Sequence, residues 1–519
     1  MLFLILFPIL LGLANAGKFL FYMPFVTKSI MITFMPVAEE LGKRGHQVSV
    51  VIPAAHNKEL KNVEQIVVPN IMEEKMKELS SELLTGKTTM MPFDKMLDMA
   101  FTTNRNALME EALQTHIRRK TDFDVVVVSP FLANDAGYYL AHYFEADLAL
   151  YFTGQATLPW MDHAMGMSPS PSFNPLILFS FKHPMTFLQR VLNTVATMVF
   201  EHGVRNWYIH KNVDAILDDL FPGVKRPSLL DIERNASLAL TFGHPLIMDG
   251  NRPYAPNFIS LGMMNCRESK ELPQDLKSYM DDAPEGVIYV SFGSVVKASQ
   301  MSDERRVIFN NVFRRLKQKV LWKWEKDTMT DQASNVQLNK WLPQQDILGH
   351  PNMKLFITHG GQSSSQETLC HKKPVVVIPV AGDQPANGQE AERVGFGLSI
   401  PFPEVTEDNL YEAIQKVLSD PKFAQTAERH GSALNDQMTR PLDRAIWWLE
   451  YKLRHPGSDH LQTPIHDLAW FQYYLIDVWA FLALIVLLII AIIFKLCQFC
   501  CCRKSKQIKS LNQSKKKRN

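Results

Sequence analysis

Short apolar runs and longer segments with helical spacing alternate along the first half of this chain. Apolar runs of this length are typical of strands buried in a parallel sheet, and apolar residues three or four positions apart are typical of helices. Residues 29–43 have helical spacing, and residues 63–120, rich in methionine and charge, predict mostly helix. The predicted strands are KFLFYMPF at 18–25, HQVSVVIP at 46–53, DFDVVVVSPF at 122–131 and LALYFTG at 148–154. The strand, helix, strand order indicates a parallel α/β sheet.

The same alternation restarts after residues 251–284, which predict a linker. The elements expected beyond it are strands GVIYVSFGS, KVLWKWE, KLFITH and PVVVIPV, a helix ending at Lys317 and a closing helix near 408–419. A chain of 519 residues with 46% hydrophobic residues is long enough to build two cores. The predicted fold class is therefore α/β, with two Rossmann-like parallel-sheet domains at 17–250 and 285–440 that face each other across a cleft.

Both ends of the chain carry apolar segments with a targeting pattern. Residues 1–16 are uncharged and end in the small residues Ala14–Ala16, which predicts a cleaved signal peptide; a buried strand and an N-terminal anchor are the alternatives. Residues 476–496 include Val478–Phe494, a run without charge or proline. With its flanks this run reaches the roughly 20 residues that a bilayer core requires. It predicts a transmembrane helix, with a buried helix as the alternative.

The tail at 497–519 is strongly basic. From Lys495 onward the chain has nine Lys or Arg and no acid, which places this end in the cytosol by the positive-inside rule. Without these nine, 46 basic residues face 53 acidic ones, so the rest of the chain is not a nucleic-acid-binding surface. Lys516 and Lys517 match an endoplasmic reticulum retrieval signal; a stop-transfer or lipid-binding cluster is the alternative.

Cysteines and a sequon add two expectations about the predicted lumenal part. Four of the six cysteines lie at 497–502, beside the predicted span. Only Cys266 and Cys370 remain for the lumen, which is too few for a disulfide scaffold. Asn235, followed by Ala236 and Ser237, is a predicted glycosylation site.

The stretch THGGQSSSQE at 358–367 concentrates the candidate chemistry of the second domain. It follows a predicted strand, so His359 begins a turn, the glycines allow a ligand to approach the backbone, and Ser363 and Ser364 lie at the start of a helix. Free amides and the helix dipole make such a start an anion site. A serine-capped helix with glycines serving only the turn is the alternative.

Three further strand ends of this domain carry polar or aromatic side chains. Trp341 offers an aromatic plane for a base, and Asp383 offers a group of the kind that reads sugar hydroxyls. Each such residue alone is more often part of a core or a solvated surface. Their occurrence at successive strand ends indicates one ligand site, because the carboxyl ends of parallel strands share an edge of the sheet. The other members of this set are Ser294, Gln344, Gly361, Glu367 and Gln384.

The segment WLPQQDILGHPNMKLFITHGGQSSSQETLCHKKPVVVIPVAGDQ resembles the signature of the UDP-glycosyltransferases, which include the UDP-glucuronosyltransferases. The resemblance extends over essentially the whole chain, through RGHQV, NRPYAPN, YVSFGS and the lysine-rich tail. It implies a GT-B fold in which residues 17–250 bind a small lipophilic acceptor and residues 285–440 bind a UDP-sugar. It also implies return helices and a juxtamembrane segment at 441–475, and a type I protein of the endoplasmic reticulum membrane with its catalytic part in the lumen.

The resemblance assigns donor-site roles to individual residues. Trp341 would stack on uracil, Gln344 would contact the base region, and Glu367 would bind the ribose. Ser363 stands where many members of the family have Asn. The diphosphate would be held by Ser294, His359 and Ser364 beside Gly361, and the transferred sugar by Asp383 and Gln384.

The resemblance also implies an inverting transfer in which an N-domain histidine, oriented by an aspartate, removes the acceptor's proton. Counted without gaps, the histidine position falls on Ile30 and the aspartate position on Ser129. Asp135 is the candidate substitute, and a loop-end or capping acid is its alternative reading. A nucleophilic acceptor such as an amine or acidic phenol, another base such as His56 or His163, or a partner subunit that binds donor without turnover would each explain the exchange.

The remaining expectations concern metal ions, partner proteins and the donor sugar. No cofactor or metal is expected, since His359 and the helix dipole can offset the charge of the leaving diphosphate. The UDP-sugar is a co-substrate, and homo- or hetero-oligomers with related transferases are possible partners. Glucuronate, glucose and similar sugars all remain open as the donor sugar, because Arg252, which matches a glucuronate-binding arginine of some members, reads equally well as a linker salt-bridge partner.

Overall fold

The computed structural model describes residues 16–516 with gaps. Outside the described part are 1–15, 57–58, most of 70–91, 131–132, most of 153–163, several positions between 168 and 183, 245–253, 295, 458, 517–519 and the side chains beyond 499. The predicted signal peptide, Lys517, His163 and Arg252 therefore lie outside the described residues.

The first sheet has seven parallel strands, of which the four apolar runs of the first half predict β1, β2, β4 and β5. Their order across the sheet is β3-β2-β1-β4-β5-β6-β7. Valines and aromatic residues fill β1, β2 and β4 on both faces, because helices cover both sides of a parallel sheet. The strands are β1 Lys18–Tyr22, β2 Gln47–Ile52, β3 Val63–Val67, β4 Val125–Val128, β5 Asp147–Phe152, β6 Leu238–Thr241 and β7 Phe258–Ser260.

The second sheet has six parallel strands, in the order β10-β9-β8-β11-β12-β13. The central pair β8 and β11 is almost completely buried, with Tyr289 stacked on Phe356 at a ring-centroid distance of 4.8 Å. The strands are β8 Val287–Ser291, β9 Lys319–Lys323, β10 Val336–Asn339, β11 Met353–Thr358, β12 Val375–Val377 and β13 Gly397–Ser399.

Helices flank both sheets. The predicted helices at 29–43 and 408–419 are confirmed within one residue as α1 and α13. The helices of the first part are α1 Lys28–Lys43, α2 Phe93–Met109, α3 Glu111–Arg119, α4 Ala136–Phe144, α5 Phe187–Met198, a π-helix at Val199–Ile209, α6 His210–Leu220 and α7 Leu229–Arg234. The others are α8 Gln274–Asp281, α9 Asp303–Arg314, α10 Gln344–Leu348, α11 Gln362–Cys370, α12 Gln384–Val394, α13 Glu407–Ser419, α14 Pro421–Asn435, α15 Pro441–Arg454, α16 Trp470–Tyr473 and α17 Ile476–Lys516, with short 3₁₀ turns at Ala298–Gln300, Phe402–Glu404, Asp459–Leu461 and Pro464–Asp467.

Two predictions about elements hold only in part. The stretch 63–120, predicted as mostly helix, contains the helices α2 and α3 but begins with β3. The strand β3 lacks a hydrophobic pattern because it is an edge strand with Ile66 as its one buried residue. The interval 251–284 is not only a linker, since β7 completes the first sheet and α8 packs beneath the second.

The chain returns to the first sheet after leaving the second. On α15, Ala445, Ile446 and Leu449 are fully buried in the cluster that covers one face of β1 and β2. Arg444 on the same helix donates to the carbonyl oxygen of Ser260 at 2.8 Å. Both sheets lie in one compact unit, Met1–Gln462, and a second unit begins at Thr463.

The second unit contains the helix predicted to cross a membrane. Ile476–Phe499 is long and apolar enough for one span by length and composition, with a mean hydropathy of 3.1. The helix continues through the basic segment to Lys516, so the tail predicted at 497–519 begins as helix.

Candidate active site

The turn after β11 is built around the ring of His359. A side chain at Gly293 would bring its Cβ within 2.7 Å of the imidazole, and one at Gly361 within 2.8 Å. Gly293, at the end of the neighbouring β8, also has a φ of +84°. Both glycines are thus required for the imidazole to occupy this place between two strand ends.

The start of α11 has no side-chain cap. Its N-cap residue is Gly361, with φ −61° and ψ 145°, so Ser363 and Ser364 lie inside the first turn instead of capping it. The serine-capped alternative therefore does not describe this helix. The amides of the first turn are available to an anion beside His359, where the positive end of the helix dipole favours negative charge.

The electrostatic setting keeps the unliganded His359 neutral. Burial and, to a smaller extent, the positive charge of Lys323 lower its pKa to about 4. Lys323 ends β9 and donates from its ammonium to the carbonyl oxygen of Gly293. No described residue bonds to Nδ1 of His359. A diphosphate bound beside His359 would bring negative charge close to the imidazole, and nearby negative charge raises the pKa of an imidazole.

A second group of contacts joins α10 to α11. Gln344 donates from Nε2 to Glu367 Oε2 at 2.6 Å and to Ser364 Oγ at 3.2 Å. Burial raises the pKa of Glu367 to about 7, while Gln344 opposes the shift. Trp341, just before α10, is 72% exposed. The site therefore combines an open aromatic face with a carboxylate held in place by an amide.

The loop between β12 and α12 is fixed to the same site. Asn387 donates from Nδ2 to the carbonyl oxygen of Gly360 at 2.7 Å and to Asp383 Oδ2 at 2.8 Å. Burial raises the pKa of Asp383. Gln384 accepts at Oε1 from the backbone amides of the loop, at 2.8 and 3.0 Å. The predicted residues of this loop and of the His359 turn are thus linked through Asn387, which the sequence reasoning missed.

Ser294 lies exposed beyond the end of β8. All ten predicted donor-site residues lie around the carboxyl ends of one sheet. They occupy the segment after β8, the turn after β11 and the starts of α10, α11 and α12. Lys323 was also missed, although its position at the end of KVLWKWE is a signal that sequence alone provides.

Gln366 connects this site to the first sheet. It is 2% exposed, accepts at Oε1 from the amide of Met263 at 2.9 Å and donates from Nε2 to the carbonyl oxygen of Phe242 at 2.7 Å. Phe242 directly follows β6. The helix that carries Ser364 and Glu367 is therefore held by the chain segments that leave the first sheet.

A disulfide between Cys266 and Cys370 closes a loop with a sequence separation of 104. It joins the segment after β7 to the last residue of α11. The expectation of too few cysteines for a scaffold did not anticipate this single bridge, because cysteine spacing does not reveal which residues meet in space.

Removing this bridge is expected to lower the free energy of unfolding by about 2 to 4 kcal/mol, because the open loop has more conformational entropy in the unfolded chain. Denaturant unfolding of Cys266→Ser under non-reducing conditions measures the loss. The double variant Cys266→Ser/Cys370→Ser should lose no more free energy of unfolding than either single variant. Cys497→Ser is the matched control, because this cysteine lies outside the bridge. A stability equal to that of the unaltered protein would contradict the assignment.

Ile30 and Ser129 lie beyond the carboxyl ends of two neighbouring strands of the first sheet, β1 and β4. Ile30 is the third residue of α1, where its amide donates to Thr27 Oγ1 at 3.4 Å and its side chain packs against the core. Ser129 directly follows β4, is fully buried, and has no described hydrogen-bond partner for its Oγ. Since β1 and β4 are adjacent in the sheet, both positions lie at the same edge, and neither side chain can take a proton from an alcohol at neutral pH.

Asp135 points into the core of the first domain. Its carboxylate lies 2.8 Å from Arg205, which also contacts Glu233 at 2.9 Å, and all three side chains are at most 3% exposed. Burial raises the pKa of Asp135, and Arg205 opposes the shift. A carboxylate enclosed in this way has no access to an acceptor, so the geometry favours a structural role. His56 follows β2, and Gln65 holds its backbone.

Asn235 is exposed at the end of α7, whereas Ser237 of the same sequon is buried and accepts from the ammonium of Lys452 at 2.6 Å. The acceptor side chain of the predicted glycosylation site is therefore on the surface of the folded domain.

The family model described as "UDP-glucoronosyl and UDP-glucosyl transferase" matches residues 20–511, which is nearly the whole chain. The chain belongs to the UDP-glycosyltransferase family. Relatives include "UDP-glycosyltransferase UGT5" of Dactylopius coccus, 31% identical over 91% of this chain and 90% of that protein. "UDP-glucuronosyltransferase 1A6" of Mus musculus is 30% identical over 91% of this chain and 89% of that protein.

Solved structures identify the fold of this UDP-glycosyltransferase as GT-B. The calicheamicin glycosyltransferase CalG4 matches with a TM-score of 0.57 and 16% identity, over 85% of this chain and 99% of that one. A UDP-glucosyltransferase from Polygonum tinctorium matches with a TM-score of 0.55 and 14% identity, over the same shares of the two chains. The chain is a glycosyltransferase, and sugar transfer from a UDP-sugar is the activity of its family.

Proposed function

We propose that this UDP-glycosyltransferase transfers glucuronate, glucose or a similar sugar, with inversion, to small lipophilic acceptors in the lumen of the endoplasmic reticulum. The observation that carries the proposal is the uncapped start of α11 beside His359, at the point where the ends of β8, β11 and β12 meet. This arrangement suits a nucleoside diphosphate better than a neutral ligand, because it offers amides, an imidazole and the positive end of a helix in one place.

In the proposed complex the uracil stacks on the open face of Trp341 and Glu367 accepts bonds from the ribose hydroxyls. The diphosphate lies against the first turn of α11, with Ser294, Ser363 and Ser364 around it. Asp383 and Gln384 bind the sugar. As the bond from the anomeric carbon to the diphosphate breaks, His359 stabilises the negative charge of the leaving group.

The two positions that the family resemblance assigns to the base and its orienting acid hold Ile30 and Ser129, and neither side chain can act as a base. We therefore expect acceptors that attack without one, such as neutral amines or phenols ionised near neutral pH, held in place by the closed cleft. Alcohols should be poor acceptors, because neither of these two positions offers a group to receive their proton.

The rival is a catalytically weak partner subunit that binds donor and associates with active relatives. The lack of a proton-accepting side chain at Ile30 and Ser129, together with the enclosure of Asp135, supports this rival. The full chain in lumen-open membranes, incubated with radiolabelled UDP-glucose or UDP-glucuronate and a panel of phenols and amines, separates the two. Transfer to any acceptor supports the enzyme, whereas intact UDP binding without transfer supports the partner subunit. Absence of UDP binding would contradict both.

Transfer is expected to be independent of divalent metal, because His359 and α11 offset the charge of the diphosphate. The rate with EDTA and the rate with added Mg²⁺ or Mn²⁺ should each lie within twofold of the rate of the untreated enzyme. If a bound metal ion acted as a Lewis acid, its removal would instead cost several kcal/mol of transition-state stabilisation. A tenfold loss with EDTA that Mg²⁺ or Mn²⁺ restores would contradict this role of His359.

A further inference from the structure

The segment that leaves the first sheet after β7 is joined to α11 at two points. Residues 263–270, which we call the crossing segment, begin with Met263, whose amide donates to Gln366 of this helix. Three residues later, the disulfide joins Cys266 to the last residue of the same helix. The crossing segment lies outside 285–440, the range predicted to bind the UDP-sugar, yet it holds the helix that carries several of the predicted donor-site residues.

Arg267 ties the crossing segment to the first turn of α10 as well. Its guanidinium makes two bonds to the carboxylate of Asp346, at 2.5 and 3.1 Å, and the same carboxylate accepts from the amide of Lys270 at 2.7 Å. The Asp346 side chain is 10% exposed. A fork of two bonds to a largely buried carboxylate fixes both partners more firmly than a single ion pair on the surface does.

The backbone of Arg267 also orients a side chain that reaches Glu367. Its amide donates to Gln345 Oε1 at 3.1 Å, and Nε2 of Gln345 donates to Glu367 Oε1 at 3.4 Å. Because the carbonyl oxygen of Gln345 is engaged by the crossing segment, its amino group is turned toward the carboxylate. Gln344 donates to the other carboxylate oxygen. Each oxygen can accept a second bond, so the carboxylate is held in place and still open to a diol.

The charge of Arg267 acts on the same carboxylate. Burial raises the pKa of Glu367; the bond from Gln344 opposes that rise most, followed by the positive charge of Arg267. An ionised carboxylate forms stronger hydrogen bonds with hydroxyl groups than a neutral one does. A cation at position 267 therefore favours the form of Glu367 that binds a diol best.

We propose that Arg267 is a positioning residue for the nucleoside end of the donor, and that it acts on the ribose hydroxyls through Gln345 and Glu367. The inference rests on the proposed function, in which Glu367 binds the ribose. It extends the donor site to a segment that begins at β7, the edge strand of the first sheet. The affinity for the donor then depends on a part of the chain that the acceptor-side sheet holds at its other end.

The test compares the binding of UDP with that of 2′,3′-dideoxy-UDP, which lacks both ribose hydroxyls, by isothermal titration calorimetry on the full chain in detergent. The unaltered protein should bind UDP at least about tenfold more tightly, because the analogue leaves a buried carboxylate without its partners. In Arg267→Gln this ratio should fall at least about threefold through weaker UDP binding, while the affinity for the dideoxy ligand stays within about twofold. Arg267→Lys keeps the charge and should recover part of the ratio.

A double-mutant cycle separates this path from a general loosening of the site. Glu367→Gln should itself lower the ratio, and adding Arg267→Gln to it should change the UDP affinity by less than about twofold, because the two residues act in series. Arg440→Gln is the matched control, since it breaks a two-bond pair with Asp443, at 2.6 and 3.0 Å, outside the donor site. This control should keep the ratio of the unaltered protein. The thermal unfolding midpoint of each variant establishes that it folds.

An equal loss of affinity for both ligands in a folded Arg267→Gln variant would overturn the proposal, because Arg267 would then support the site as a whole. An unchanged ratio in that variant, or equal binding of the two ligands by the unaltered protein, would overturn it too. Absence of UDP binding by the unaltered protein would contradict the proposed function together with this inference. UDP binding that Arg267→Gln leaves unaffected would remove this inference alone.

Discussion

Replacing His359 with alanine is expected to lower the kcat of sugar transfer by roughly 100- to 1000-fold, the loss typical of removing one group that stabilises developing negative charge. The imidazole is held between Gly293 and Gly361, neither of which has a side chain that could take its place. The charge of the leaving diphosphate would then be met by the amides of α11 and the serine hydroxyls around it, without the imidazole. Steady-state kinetics with a saturating UDP-sugar and an amine or phenol acceptor measure the change.

His350→Ala is the matched control, because this histidine contacts Asp281 at 3.1 Å and lies outside the site. Its kcat should stay within twofold of that of the unaltered enzyme. If His359→Ala loses only donor affinity and keeps its kcat, the imidazole binds the ground state alone, and the role proposed for it in bond breaking is wrong.

Installing a histidine and an aspartate at the two vacant positions is expected to raise the turnover of alcohol acceptors by roughly 100-fold, within the range of general-base assistance. In Ile30→His/Ser129→Asp the new imidazole would stand in the first turn of α1, where the helix dipole disfavours its protonated form and leaves it able to accept a proton. Residue 129 lies at the end of the adjacent strand, where a carboxylate could orient the ring. Initial rates with matched alcohol and amine acceptors measure the effect.

Amine turnover should change little in the same variant, because a neutral amine needs no base for its attack. Ile30→Val is the control for packing at this position and should leave both rates unchanged. An unaltered alcohol rate in a folded double variant would show that a different residue already supplies the base or that the acceptor pocket excludes alcohols.

Hydrophobic pattern predicted β1, β2, β4 and β5 of the first sheet and β8, β9, β11 and β12 of the second, because strands buried on two faces are continuous apolar runs. It missed the buried β6, which has four residues, and it failed at the edges of the first sheet, where β3 has one buried side chain and β7 has three residues in all. Such strands are defined by backbone pairing with a neighbour, which leaves little trace in composition.

The donor-site residues could be predicted because glycine, histidine and hydroxyl residues cluster within ten positions after a strand. The residues that hold the site in place, Asn387 and Lys323, could not be predicted, since they reach the turns of the site from other elements. The direction of a side chain was equally hidden: Asp135 has the right residue type near the expected position, yet it turns toward Arg205.

The return of α15 to the first sheet determines where this enzyme can be shortened. A soluble version cut at residue 440 would lose Ala445, Ile446 and Leu449, and with them the apolar cover over β1 and β2. Purification without the apolar helix at 476–499 should therefore retain every residue up to Gln462, even though the second sheet is complete well before that point.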